Sequence, residues 1–334
     1  MKKNFFIVMT MFLLSSLTFA EKITISLVGD MCFDGKIEKR IEEFGGDFLF
    51  EGYREYINKS NIVIGNLETS VSERGSAVQG KSYTFRSNPE IIKVLKKNRV
   101  KIVSIGNNHT LDYGVTAFKD TIKNLKKNGI GFSGGALNKS ESNIFPYTVI
   151  KGHKIGFLAF SRVVPNTTWH LKEERAGVMG IYPFQEKEAL ELIKSAKKKC
   201  DILIVSLHCG KERSLYPGAE EKRLTRKVVD SGADIVMGHH THTVQEYEYY
   251  KGKPIFYSLG NFIFTNSFRK ECNKTVMAVL TVDEKGKVEK IKMVRGEIVN
   301  NMPLAYSGYI YKKMKNAEKK LAIKEKDNNR NKNN

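Results

Sequence analysis

Cysteine is scarce in this 334-residue chain. The four residues, Cys32, Cys200, Cys209 and Cys272, are too few and too scattered for a disulfide framework at this length. No CxxC pair occurs, and each cysteine reads as a small buried residue. Long apolar runs are almost as rare. One stretch, Phe5 to Ala20, is apolar and uncharged. No second one follows, so the remainder is expected to be soluble. Internal repeats are missing, and nothing in the composition suggests a collagenous, coiled-coil or wholly disordered chain. Acidic residues are outnumbered, 36 against 56 Lys and Arg, for a formal net charge of +20. That balance permits an anionic partner such as a polyanionic polymer or an acidic lipid surface. Much of the excess is Lys on predicted helix faces, such as Lys93, Lys96 and Lys97. No basic-and-aromatic module accompanies the charge, which disfavours nucleic acid as a partner.

Lys2 and Lys3 precede the apolar run, and Thr18 and Ala20 are small enough for a signal-peptidase site. The pattern predicts a signal peptide over residues 1–20 with cleavage before Glu21. The run also lies near the lower limit for spanning a bilayer, so an uncleaved anchor is the alternative. The expected location is periplasmic or extracellular. The 41% apolar share supports a sizeable core in residues 21–300. Residues 301–334 are rich in Lys and Asn and read as a helix passing into disorder.

Within the body, apolar strand patterns alternate with helical ones up to about residue 240. Strands are expected at Lys22–Val28, Asn61–Gly65, Val100–Ile105, Asp201–Leu207 and Asp234–Met237. Helices are expected at Pro89–Lys97, Val115–Asn128, Gln185–Lys199 and Glu220–Ser231. Hairpins dominate afterwards, which predicts a mixed α/β architecture and not a purely parallel one. Five of the strands deliver a polar residue just past their C-terminal ends: Asp30, Glu68, Asn108, His208 and His240. In α/β proteins that rim is where ligands bind, and five coincidences suggest one shared site.

The residue types suit a metal. Asp30 and Glu68 offer hard oxygens, and Glu68 has two with which to bridge ions. Asn108 offers a neutral amide oxygen. His208 ends an apolar strand, where an unpaired buried imidazole is costly. His240 and His242 are two apart and share a face if the segment is extended. Imidazoles with carboxylates suit Zn, Mn or Fe, in one or two ions. His109 is expected to point away from its neighbour Asn108 and to donate a proton to a leaving group. Asp112 either orients His109 or caps the helix near Val115. Lys81 and Arg86 are candidates for gripping an anionic substrate. Asn261 is placed to hydrogen-bond a ligand residue. Cys32 and Cys209 adjoin ligand positions; packing beside the site is the favoured reading for each, with a soft metal ligand as the alternative. His153 reads as solvent-exposed, and His170 as lining a cleft or lying on the surface.

The ordered set of motifs resembles a known family. Gly29-Asp30, Asn66-Leu67-Glu68, Gly106-Asn107-Asn108-His109 with Asp112-Tyr113-Gly114, Ser206-Leu207-His208-Cys209-Gly210, Gly238-His239-His240-Thr241-His242 and Tyr257-Ser258-Leu259-Gly260-Asn261-Phe262 are similar to the bacterial capsule-synthesis CapA/PgsA family. The resemblance runs from about Thr24 to Val294. It implies a calcineurin-like metallophosphatase architecture, a sandwich of two mixed β-sheets flanked by helices, with two metals at one edge. It further implies that Asp30 and His242 bind the first metal and that Glu68 bridges. Asn108, His208 and His240 would bind the second, and His109 would be the general acid. Three positions depart from the metallophosphatase pattern. Cys32 stands where a His is usual, Glu68 where an Asp is usual, and Thr241 where the family commonly has Pro. The first metal position is the one these departures weaken.

The resemblance implies a role in capsule or poly-γ-glutamate synthesis, with an anionic polymer or phosphorylated substrate and other capsule-synthesis membrane proteins as partners. The leading expectation is a metal-dependent hydrolase of a phosphoester or related bond. The alternative is a non-catalytic accessory that holds an anionic polymer such as poly-γ-glutamate. Nucleotide or nucleic-acid hydrolysis ranks third.

Overall fold

A computed structural model describes residues 22–315. The expected signal peptide and the end of the Lys/Asn-rich tail lie outside the described residues. Two mixed sheets stack face to face. In the first, the strands run in the order Met302–Ala305, Val288–Val299, Lys274–Val282, Ile23–Met31, Ile62–Leu67, Val100–Ser104, Gly131–Ser133, and Asn261–Ile263 pairs with the far end of Ile23–Met31. In the second, the order is Tyr247–Tyr250, Lys253–Phe256, Ile235–His239, Ile202–His208, His153–Ser161, Tyr147–Ile150.

Strand periodicity sorts the side chains into three cores. In a strand, alternate residues face opposite sides. Ile23, Ile25 and Leu27 meet Ile202, Ile204 and Met237 between the sheets. Val28 and Met31 face outward, against Phe118, Ile122 and Leu125 of the Gly114–Asn128 helix. On the opposite side Leu203, Val205 and Leu207 pack under Ile193 of the Glu186–Lys197 helix and Val228 of the Ala219–Asp230 helix. Helix, sheet, sheet and helix therefore form four layers, the helix-flanked sandwich that was expected.

The strand and helix expectations are met within a few residues, with the usual uncertainty at element ends. Three short helices, Lys36–Phe44, Phe48–Glu51 and Arg54–Lys59, had no counterpart in the sequence pattern. The body also extends further than 21–300. Met302–Ala305 adds an antiparallel strand to Val288–Val299, with Pro303, Leu304 and Ala305 buried. That strand is too short and too close to polar residues for periodicity to reveal it.

The parallel strands point the same way, so their C-terminal ends collect on one rim. Asp30 lies in register with Asn66 and Asn261, and His208 with His239. Two glycines let the backbones close there. A Cβ on Gly29 would sit 1.8 Å from the Gly260 carbonyl oxygen, and one on Gly238 would sit 2.0 Å from that of Tyr257. No side chain fits at either place.

Candidate metal centre

Asp30, Glu68 and His208 are buried and offer ligand atoms that all lie within 4.8 Å of one another. Asn66 sets the two carboxylates. It sits on the same strand face as Glu68, two residues away. Its Nδ2 donates to Asp30 Oδ1 at 2.9 Å and to Glu68 Oε2 at 3.1 Å. Its own oxygen accepts from Asn107 Nδ2 at 3.0 Å. One oxygen of each carboxylate is thereby engaged. The other two, Asp30 Oδ2 and Glu68 Oε1, are buried with no hydrogen-bond partner.

Imidazoles converge on the free Glu68 oxygen. His109 Nε2 lies 3.8 Å from Glu68 Oε1, His242 Nε2 3.9 Å and His208 Nε2 4.0 Å. These separations are too long for hydrogen bonds. They lie within the span of about 4.2 Å that two ligands of one ion can bridge. His208 Nε2 also lies 2.7 Å from Asn108 Oδ1. His242 is oriented by Asn261, whose Oδ1 is 2.8 Å from His242 Nδ1, while Asn261 Nδ2 donates to the Cys272 carbonyl at 3.2 Å. His240 stacks near His208, with ring centroids 4.8 Å apart, and its Nδ1 is buried and unpartnered.

The electrostatics describe a site short of positive charge. Burial opposes the charge on Asp30, yet the neighbouring imidazoles of His239, His242 and His208 hold its carboxyl below the ordinary range. Burial, and then the Asp30 carboxylate beside it, push Glu68 well above the ordinary range. Burial, followed by the His240 ring, drives His208 well down. His240 is lowered to about 4, by burial and then by His242. Imidazoles around two crowded carboxylates with unpartnered oxygens form a donor set that fits a divalent cation.

Cys32 is buried and its thiol is pushed well up by burial. It is not one of the clustered ligand residues. All four cysteines are free.

Beside the cluster, His109 stands with its back to a carboxylate. Its Nδ1 is 2.6 Å from Asp112 Oδ2, and Phe85 covers the ring at 4.3 Å between centroids. Asp112 Oδ2 also accepts from the Phe85 amide at 2.7 Å. Of the two roles open to Asp112, the geometry favours orienting His109, since no side chain caps the helix beginning at Gly114.

The scan of known families finds the description "Bacterial capsule synthesis protein PGA_cap" matching residues 24–266. That is most of the chain and spans the rim from Asp30 to Asn261. The chain belongs to this family. Among curated proteins it is 32% identical over 250 residues to the PGA biosynthesis protein CapA of Bacillus subtilis, covering 74% of this chain and 65% of that one. To the capsule biosynthesis protein CapA of Bacillus anthracis it is 29% identical, covering 75% of this chain and 62% of that one. A probable polyglutamine synthesis accessory protein of Mycobacterium tuberculosis is 26% identical over 212 residues, covering 61% of this chain and 56% of that one. The chain thus spans a little under two thirds of the length of these relatives. Among solved structures, the NAD nucleotidase of Haemophilus influenzae overlaps 88% of this chain and 62% of its own, with TM-score 0.47 and 11% identity.

In this chain the rim brings together Asp30, Glu68, Asn108, His109, His208, His240, His242, Asp112 and Asn261. The two basic candidates sit differently. Lys81 is turned inward: its ammonium pairs with Asp112 Oδ1, donates to the Asn108 carbonyl at 2.5 Å and lies 3.1 Å from His109 Nδ1. It is engaged with the His109–Asp112 pair and does not stand free toward solvent. Arg86 packs over the Tyr113 ring at 4.4 Å, in a hollow that also holds Asp34, Glu38 and Glu73. An anion there would meet like charge.

The geometry of the histidine segment also differs from expectation. His240 and His242 converge, but not along an extended segment, because both take positive φ, 90° and 57°. Such values are uncommon for non-glycine residues and gather at functional sites. His170 is buried against Tyr182, with centroids 4.9 Å apart. His153 is half-buried at the start of its strand. Two residues at the centre, Asn66 and His239, carried no assignment from the sequence. For Asn66 the available signal was its place two residues before Glu68.

Proposed function

We propose that this chain is an exported, metal-dependent hydrolase of a phosphoester or related bond, acting in the synthesis of an anionic surface polymer. The observation that carries the reading is the approach of His242 Nε2 and His208 Nε2, at 3.9 and 4.0 Å, to one buried and unpartnered oxygen of Glu68, with His109 Nε2 at 3.8 Å beside them. Asp30, Glu68, Asn108, His208, His240 and His242 would hold one or two divalent ions, of which Mn, Zn or Fe suit the donors. When bound, such an ion polarises a phosphoryl or carbonyl oxygen and makes a water acidic enough to attack near neutral pH.

The chain's own residues supply the rest. Asp112 accepts from His109 Nδ1 and fixes the ring with Nε2 on the reacting side. The doubly protonated imidazolium, which burial disfavours and Asp112 supports, would deliver its Nε2 proton to the leaving oxygen and return to the neutral ring. Asn261 holds His242, and Asn66 holds both carboxylates, so little rearrangement is needed on binding.

The polymer context rests on the relatives' names, and the net charge of +20 suits a polyanion. Export rests on the Phe5–Ala20 run, and other membrane proteins of capsule synthesis are the natural partners. The experiment is elemental mass spectrometry of the purified chain beside Glu68→Gln and His208→Ala, followed by a phosphoesterase and peptidase screen. Near-stoichiometric metal in the parent, with metal or turnover lost in both variants, is expected. Full activity in both variants would sink the reading. Metal-free protein after reconstitution with Mn and Zn would favour the accessory role that the Mycobacterium relative's name describes.

A further inference from the structure

We infer that His239 is itself a metal ligand, binding through Nδ1 beside Asp30 Oδ1 on the Asp30 side of the centre. The inference rests on the metal-site reading above and adds a residue that reading does not use. His239 ends the Ile235–His239 strand and is completely buried. Its register partner on the neighbouring parallel strand is His208. Paired residues in a parallel ladder present their side chains to the same face, so both imidazoles reach the same rim.

Both ring nitrogens of His239 are buried without a hydrogen-bond partner. An orphaned polar atom in the interior is expensive, and native structures seldom tolerate one without water or an ion. The one polar neighbour is Asp30: its Oδ1 lies 2.9 Å from His239 Nδ1, at an angle that does not make a hydrogen bond. With the ring proton on Nδ1 the contact with Asp30 would be favourable, in line with the lowered Asp30 carboxyl, and Nε2 would be the orphan. With the proton on Nε2, the Nδ1 lone pair would face a carboxylate oxygen. That contact is repulsive unless a cation lies between them.

The distance suits such a cation. Bonds of about 2.0–2.2 Å meeting at a right angle place two donor atoms about 2.8–3.1 Å apart. Asp30 Oδ2, which is also unpartnered, lies 3.5 Å from His242 Nδ1. Asp30 and His239 therefore supply a carboxylate and an imidazole donor on this side, while His242, whose Nδ1 is engaged by Asn261, offers Nε2 toward Glu68. Cys32, two residues beyond Asp30, stays outside the cluster. On the other side, Glu68, Asn108 and His208 form the second group.

The test uses the whole chain, stripped with chelator and titrated with Zn(II). Calorimetry and elemental mass spectrometry read affinity and stoichiometry for the parent, His239→Asn and His208→Ala. His239→Asn is expected to weaken one ion by at least about tenfold while the other remains, with circular dichroism unchanged. A His239→Asn protein with the parent's stoichiometry and affinity overturns the inference and leaves the metal reading intact. A parent that binds no Zn(II) overturns both. Should His239→Asn fail to fold, nitrogen NMR of histidine-labelled parent loaded with cadmium decides. A one-bond coupling between cadmium and His239 Nδ1 supports direct ligation, and a His239 ring without such coupling overturns it.

Discussion

At the scale of single residues, the most informative contacts are those made behind the reacting atoms. Asp112 is fully buried, holds His109 through Nδ1 and is itself held by the Phe85 amide and Lys81. Burial lowers the Lys81 ammonium below its ordinary value even with Asp112 opposing it. Lys81 thus pairs with Asp112 behind His109, a placement that a charged residue in a surface-like segment would not suggest. Asp112→Asn is expected to reduce turnover by about a hundredfold while metal content stays at the parent level. Steady-state kinetics beside elemental analysis checks both, and a variant that loses its metal would place Asp112 in the metal site instead. Asn66 teaches the same lesson, since a neutral amide near the end of a strand carries no assignment until the two carboxylates it bridges are seen together.

At the scale of elements, two helices on the outer face of the second sheet are tied to each other by charge. Glu186, in the first turn of Glu186–Lys197, pairs with Arg223 at 2.8 Å and Lys227 at 2.7 Å on Ala219–Asp230. Its side chain is only 11% exposed. The hydrogen bond from Arg223 leads in lowering its carboxyl from 4.5 to about 2, against burial. Because the folded value lies below the unfolded one, the stabilisation is present above about pH 4.5 and is lost as pH falls toward 2. Glu186→Gln is expected to destabilise the fold by about 1–2 kcal/mol at neutral pH, the partners being partly in water. Urea midpoints should show that gap closing across the acid range, whereas a gap constant with pH would mean that packing and not charge is responsible.

At the scale of the whole molecule, charge and architecture serve different ends. The four layers bring the strand ends to one rim, while the excess of 20 positive charges acts on whatever approaches. Poly-γ-glutamate is expected to bind with an affinity that falls by roughly tenfold or more from low to high salt, as fluorescence anisotropy with labelled polymer would read. Binding that survives chelation would assign it to the basic surface. Binding that disappears with the metal would assign it to the rim.

The sequence by itself determined the class of the fold and named most of the residues that gather on the rim. Short apolar runs, with alternation at Lys22–Val28, marked the strands, and polar residues past their C-terminal ends marked the rim, because strand direction alone says where those residues emerge. Only the tertiary structure decided which of those residues meet. The roles of Lys81, Arg86, Asn66 and His239 depend on which chain segment crosses which, and the left-handed turns at His240 and His242 broke the extended geometry from which their pairing was argued. The last strand, Met302–Ala305, owes its place to a sheet edge offered by Val288–Val299, since four residues carry too little pattern to specify a strand without a partner.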